Sequence, residues 1–96
     1  MKNILSQMIQ SQQRHVLVFS ASWCIPCQAL QSTIRELVEQ YPHLENRIKV
    51  LDVDDHSELC DQVGIQSVPT CFFIDSTKID IRSGSLHSNV FLDFLD

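Results

Sequence analysis

Between Val16 and Cys27 the hydrophobic period of the chain changes from that of a strand to that of a helix. No other feature limits the fold as much. Val16, Leu17, Val18 and Phe19 are apolar at every position, so 16–19 predicts a strand buried on both faces, as in the middle of a parallel sheet. From Cys27 onwards, Leu30, Ile34, Leu37, Val38 and Tyr41 recur at helical spacing, while Gln28, Gln31, Ser32, Arg35, Glu36 and Glu39 fill the opposite face. This predicts a helix over 25–41. Pro26 falls in its first turn, where a missing N–H costs nothing, and Pro42 stands just past its end.

The rest of the chain extends this unit. Ile4, Leu5, Met8 and Ile9 form one stripe of an amphipathic helix over 2–12. Residues 48–53 read as a second strand, and strand, helix, strand within so short a stretch is a βαβ unit with parallel strands. A short helix over 56–63 turns Leu59, Cys60 and Val63 inward and ends at Gly64, with Asp54 or Asp55 as its N-cap. Residues 70–74 are a third strand, 75–77 a turn, and 78–82 a fourth strand that must run antiparallel because its connection is too short for a crossover. Gly84 breaks it. Val90, Phe91, Phe94 and Leu95 then line a C-terminal helix capped by Ser88. The sum is an α/β fold, a four-stranded mixed sheet flanked by helices on both faces.

Composition narrows the class. Ninety-six residues, 44% apolar and 20% charged, suit one globular domain over 1–96. The net charge of −5, with basic residues scattered singly, argues against nucleic acid as a partner. Apolar runs of four or five residues do not span a membrane, and the first ten residues do not read as a signal peptide. A cytoplasmic monomer is the expectation. Four cysteines in such a setting read as catalytic or metal-binding before they read as staples.

Two of them form the segment Cys24-Ile25-Pro26-Cys27 at the strand-to-helix turn. Cys24 falls where unpaired N–H groups and the helix dipole favour an anion. A free cysteine, with a pKa of about 8.5, is only a few per cent thiolate at neutral pH; helix N-termini and Cys-X-X-Cys settings raise that fraction. Cys24 is therefore the candidate nucleophile. Cys27, one turn in and on the apolar face, is the candidate resolving thiol that attacks a mixed disulfide. Half of a zinc site looks the same, but zinc needs two further ligands. Cys60 and Cys71 are eleven residues apart, and only His56 lies near either. A structural disulfide closing so short a loop gains little chain entropy. No bound metal or cofactor is expected.

The segment Phe19-Ser20-Ala21-Ser22-Trp23-Cys24-Ile25-Pro26-Cys27 resembles the thioredoxin active-site motif, Phe-x-Ala-x-Trp-Cys-Gly-Pro-Cys. Val68-Pro69-Thr70 resembles the cis-proline loop of that family, and Asp52-Val53-Asp54 and Gly84 fall where it has counterparts. The resemblance covers nearly the whole chain from about residue 14. It implies a thioredoxin-like fold and a thiol–disulfide oxidoreductase that reduces protein disulfides. Cys24 would be the nucleophile and Cys27 the resolving thiol. Trp23, Ile25, Pro26, Val68, Pro69 and Gly84 would form an apolar platform on which an extended substrate pairs in strand fashion. A thioredoxin-reductase-like flavoprotein would resupply electrons.

The match has gaps. Many members carry a buried Asp before the Phe of the active-site strand, where this chain has Val18, and the matching strand-borne Lys corresponds to Val50. Ser20 precedes Ala21 where the family often has Trp, and Ile25 replaces the usual Gly. These differences keep open an isomerase, an oxidase, or a module that binds a partner without turnover. Relative to the family an N-terminal strand is missing, which makes 48–53 a sheet edge guarded by Lys49 and Asp52, unless another chain covers it. Cys60 and Cys71 are expected to be buried apolar residues rather than regulatory thiols. His87 is expected on the surface.

Overall fold

The computed structural model describes residues 4–96. The elements are α1 (Ile4–Gln10), β1 (His15–Ser20), α2 (Ile25–Gln40), a 3-10 helix (Pro42–Arg47), β2 (Ile48–Asp52), α3 (Ser57–Val63), β3 (Thr70–Ile74), β4 (Ile79–Ser83) and α4 (Ser88–Leu95). The strands form one sheet in the order β2-β1-β3-β4. β1 and β2 run parallel, with Val18 opposite Val50 and Ser20 opposite Asp52. β3 runs antiparallel to both β1 and β4, placing Cys71 beside Val18.

All six residues of β1 are buried, as a central strand with both faces covered requires. Its side chains alternate between two cores. Val16 and Val18 join Cys71 and Phe73 against Leu30, Ile34 and Leu37 of α2 and Phe91 and Leu95 of α4. Leu17 and Phe19 join Phe72 and Ile74 against Met8 of α1 and Leu59 and Cys60 of α3. Among the described residues β2 has no strand on its outer side, and Lys49 is exposed there.

Several local expectations need correction. Of the helix expected over 2–12, residues 2 and 3 lie outside the described residues. It stops at Gln10, because the Ser11 hydroxyl donates to the Met8 carbonyl at 2.8 Å and Gln12 turns to a φ of +63°. The sequence carries no sign of the 3-10 helix from Pro42, whose two turns hold too few residues to display a period. Neither Asp54 nor Asp55 caps α3, whose N-cap is His56 without a side-chain bond. Asp52 instead bends the chain there by accepting from the Asp54 N–H at 2.8 Å. Ser88 is the first residue of α4 and not its cap, a position held by His87. Gly64 closes α3 as expected, in the left-handed conformation (φ +77°), with its N–H on the Cys60 carbonyl at 2.9 Å.

Phe91 ties α4 to the sheet. It is fully buried and its ring stacks on Phe73 at 5.6 Å between centroids. Phe91→Ala is expected to cost about 3–5 kcal/mol, the range for deleting a buried aromatic side chain. Urea unfolding at neutral pH measures this, and a loss below about 1 kcal/mol would mean that α4 is not part of the cooperative core.

Candidate active site

β1 delivers the chain to a turn in which the Cys24 N–H donates to the Ala21 carbonyl at 3.2 Å. The Cys24 carbonyl then accepts the first helical bond, from Gln28 N–H at 3.2 Å. Cys24 is thus the N-cap of α2, with extended backbone (φ −102°, ψ 113°). Its sulfur does what a cap oxygen does, accepting from the Cys27 N–H at 3.3 Å. The same sulfur lies 3.8 Å from the Val68 carbonyl, to which the thiol donates. The Val68–Pro69 peptide is cis.

The sequence-predicted site residues fall around this point. Ala21, Cys24 and Cys27 are buried together, with Val53 and Val68 packed against them. Trp23 and Ile25 are exposed at 66% and 77%, so two large apolar side chains beside a buried thiol face solvent. Pro26 is exposed next to them. Gly84 donates its N–H to the Pro69 carbonyl at 2.9 Å and holds a φ of +90°. That bond ties the end of β4 to the loop beside Cys24. His87 is exposed and borders a cleft with Thr33, Glu36 and Gln40, well down α2 from the cysteines.

Two contacts escaped the sequence reading. The Trp23 indole N–H donates to an Asp54 carboxylate oxygen at 3.0 Å, fixing an exposed ring across 31 residues of sequence. The Gln31 amide donates to the Ser20 hydroxyl at 2.7 Å, with Ser20 itself buried. Long-range pairs of this kind leave no periodic signal. Only the departure of Ser20 from the expected Trp marked the second.

The thiols differ sharply in surroundings. Cys27 is fully buried, and burial pushes its thiol up, reinforced by the neighbouring Cys24 sulfur; the Ser20 hydroxyl and the Ala21 backbone pull the other way. Cys71 is pushed up to about 12 by burial first and by Cys27 second. Burial, then Asp61, also raises Cys60. Cys60 and Cys71 lie in cores on opposite faces of the sheet, and all four cysteines are free. Among the described residues no group of three His, Cys, Asp or Glu side chains is placed to hold a metal ion. No helix among them is long and apolar enough to cross a membrane.

A thioredoxin family model matches residues 2–96. The chain belongs to the thioredoxin family. It is 32% identical to a thioredoxin of Chlorobaculum thiosulfatiphilum over 96 residues, covering 99% of this chain and 88% of that one. A thioredoxin of Griffithsia pacifica is 33% identical over 92 residues, covering 93% and 82%. Among solved structures, Fasciola hepatica thioredoxin superposes with a TM-score of 0.76 at 26% identity, covering 94% of this chain and 88% of its own. Membership of this family supports a thiol–disulfide oxidoreductase role and agrees with the mixed four-stranded sheet described above.

Burial of Cys71 has a measurable consequence. The folded chain holds the Cys71 proton more tightly than the unfolded chain, so its contribution to stability is complete below about pH 9 and declines as pH climbs towards about 12. Each such thiol adds a slope of up to ~1.4 kcal/mol per pH unit. Cys27 and Cys60 act in the same direction. Urea unfolding between pH 8 and about 11 is expected to show a shallower decline for Cys71→Ala than for the wild type. Parallel declines would contradict the assigned burial.

Proposed function

We propose that the chain is a protein-disulfide reductase in which Cys24 attacks and Cys27 resolves. The observation that carries this reading is the setting of the Cys24 sulfur. It caps α2 on the Cys27 N–H and faces the Val68 carbonyl, while Cys27 waits one turn inside. The Cys24 thiolate attacks one sulfur of a substrate disulfide, forming a mixed disulfide and releasing the other sulfur as a thiolate. The Cys27 thiolate then attacks the Cys24 sulfur. The intramolecular disulfide forms, and the second substrate sulfur leaves with the electron pair. Two electrons have passed to the substrate, and a dithiol-regenerating donor, of the thioredoxin-reductase-like flavoprotein class, returns them.

Exposed Trp23 and Ile25 on one side, and the Val68–Pro69 loop with Gly84 on the other, suit an extended polypeptide lying across Cys24. Backbone groups of Val68 would pair with it as one strand pairs with another, and the apolar side chains would cover it. The negative charge favours protein substrates over nucleic acid. Cys60 and Cys71 lie in cores on opposite faces of the sheet and form no structural staple, which suits a reducing compartment, and we place the protein in the cytoplasm on that ground.

Reduction of insulin disulfides with dithiothreitol as donor tests the proposal. The wild type is expected to accelerate precipitation of the insulin B chain, and Cys24→Ser to reduce the rate to that of dithiothreitol alone. Cys27→Ser is expected to accumulate a Cys24 mixed disulfide visible by mass spectrometry. No acceleration by the wild type would shift the reading to a partner-binding module. A reduction potential near those of oxidising relatives would shift it to an isomerase or oxidase.

A further inference from the structure

We propose that the outer edge of β4 is a dimerisation surface, on which β4 of a second copy of this chain pairs antiparallel about a two-fold axis at Ile81. Among the described residues the exposed large apolar side chains are Trp23, Ile25, Ile79 and Ile81. The first two belong to the candidate active site. Ile79 and Ile81, exposed at 37% and 57%, both stand on β4, a strand with every residue exposed that packs chiefly on β3. Their register opposite Ile74 and Phe72 puts them on one face of the sheet, where Ile81 borders an apolar groove with Val63, Ile65 and Phe72. Sheet edges are commonly blunted by a proline, a bulge or a lysine. β4 has no proline within it, pairs with β3 residue for residue, and carries one charge of each sign, Asp80 and Arg82. The opposite edge differs: β2 buries Ile48 and Leu51 and exposes Lys49.

The bonds at the two ends of β4 fix which backbone groups face outwards. At one end the Asp75 N–H donates to the Lys78 carbonyl at 3.0 Å, and at the other the Gly84 N–H donates to the Pro69 carbonyl at 2.9 Å. Along an antiparallel strand, residues that bond a given neighbour alternate with residues that face away from it. Between those two bonds, Asp80 and Arg82 therefore turn their N–H and C=O groups to β3. Ile79, Ile81 and Ser83 turn theirs away from the sheet, where no other described strand meets them.

Charge selects the partner and the register. A second β4 can bond only by setting its own outward residues against these, and three antiparallel registers engage more than one of them. Pairing Ile79 with Ile81 puts Asp80 directly against Asp80, and pairing Ile81 with Ser83 puts Arg82 against Arg82. Like charges so placed are unfavourable. In the third register Ile81 meets Ile81, Ile79 meets Ser83, and each Asp80 meets an Arg82. It satisfies every outward N–H and C=O of the strand on both copies and joins the two sheets into one. Asp80 and Arg82 then occupy non-hydrogen-bonded positions, where facing Cα atoms approach to about 4.5 Å. Within the chain Arg82 Nε donates to Asp80 Oδ2 at 3.1 Å. That bond occupies neither the Arg82 Nη groups nor Asp80 Oδ1, and both side chains are about half exposed. Each Asp80 can therefore hold an Arg82 of its own chain and one of the second copy. The ladder ends at Ser83, one residue before Gly84 bonds the Pro69 carbonyl, so the candidate active site of each copy stays outside it. One strand pair is a small interface, which makes the dimer weak and reversible.

Sedimentation equilibrium with reductant present, so that no disulfide links the chains, is expected to show monomers and dimers in exchange between about 10 µM and about 1 mM. Asp80→Arg and Arg82→Asp each set like charges against one another, and each alone is expected to weaken the dimer about tenfold. Mixed in equal amounts, the two variants are expected to associate about as well as the wild type, because every facing pair is then of opposite sign. Mixing would not rescue a chain that had lost its fold or was merely adhesive. Ile81→Pro removes the N–H at the centre of the ladder, which faces away from β3, and is expected to abolish the dimer without changing the far-UV circular dichroism. Amide hydrogen exchange locates the surface. As concentration rises, the Ile79, Ile81 and Ser83 amides are expected to slow, while those of Asp80 and Arg82, already bonded to β3, do not change. A wild type that is monomeric throughout, or a dimer with protection confined to β2, would overturn the proposal. If the monomer's three outward amides were protected only on adding reduced insulin B chain, the edge would take an extended peptide and the second-copy assignment would fail.

Discussion

Two-sided burial of β1 is the constraint on which the rest of the structure depends. A strand with every side chain enclosed must have helices on both faces of its sheet and a paired neighbour along each edge. Alternation then assigns each β1 residue to one core, and the parity cannot slip without turning Val16 and Val18 away from α2. The same parity aims Ser20, two residues past Val18, at the helix that carries Cys27 and Gln31. Anything that moved β1 by one residue would remove the hydroxyl from Gln31.

The two candidate active-site cysteines come from one local motif, yet the fold gives them unlike surroundings. Cys24 caps a helix and meets a carbonyl from a loop that follows α3, so its position depends on α2, on the turn after β1 and on the Val68–Pro69 peptide together. Cys27 depends on the core alone. This separation suits a two-step exchange, because the first sulfur must be reached by an outside disulfide and the second must be withheld from it. Cys71 marks the limit of the same gradient: deeper in the sheet, with its thiol held up at about 12, it behaves as a small apolar side chain.

Much of this arrangement was legible in the residues. The strand at 16–19, the helix from 25 and the third strand at 70–74 were plain because their apolar positions repeat over enough residues to define a period. The edge position of β2 followed from the order of elements, and burial of Cys60 and Cys71 from their positions on inward faces. The misses share a physical cause. The ends of α1, α3 and α4 and the 3-10 helix from Pro42 are each settled within one or two residues, too few to carry a period, and at the starts of α3, α4 and the 3-10 helix no side chain bonds the cap. Asp54 had the chemistry of a cap but was taken by the indole of Trp23, 31 residues away. No local pattern encodes that choice.

Val18 and Val50 show how the interior of the chain trades one cost for another. A carboxylate at Val18 would stand opposite Cys71 and among Leu30 and Ile34, where an unpaired charge is expensive to hold and tends to neutralise. Hydrocarbon there avoids that penalty and tightens the packing of α2, but leaves the buried thiol with nothing at that depth to accept its proton. A serine hydroxyl at the rim carries no charge to desolvate, its oxygen is satisfied by Gln31, and it borders an open cleft. A core built this way is stable independently of the ionisation state of a buried acid, and its sensitivity to pH at the alkaline end is left to the thiols.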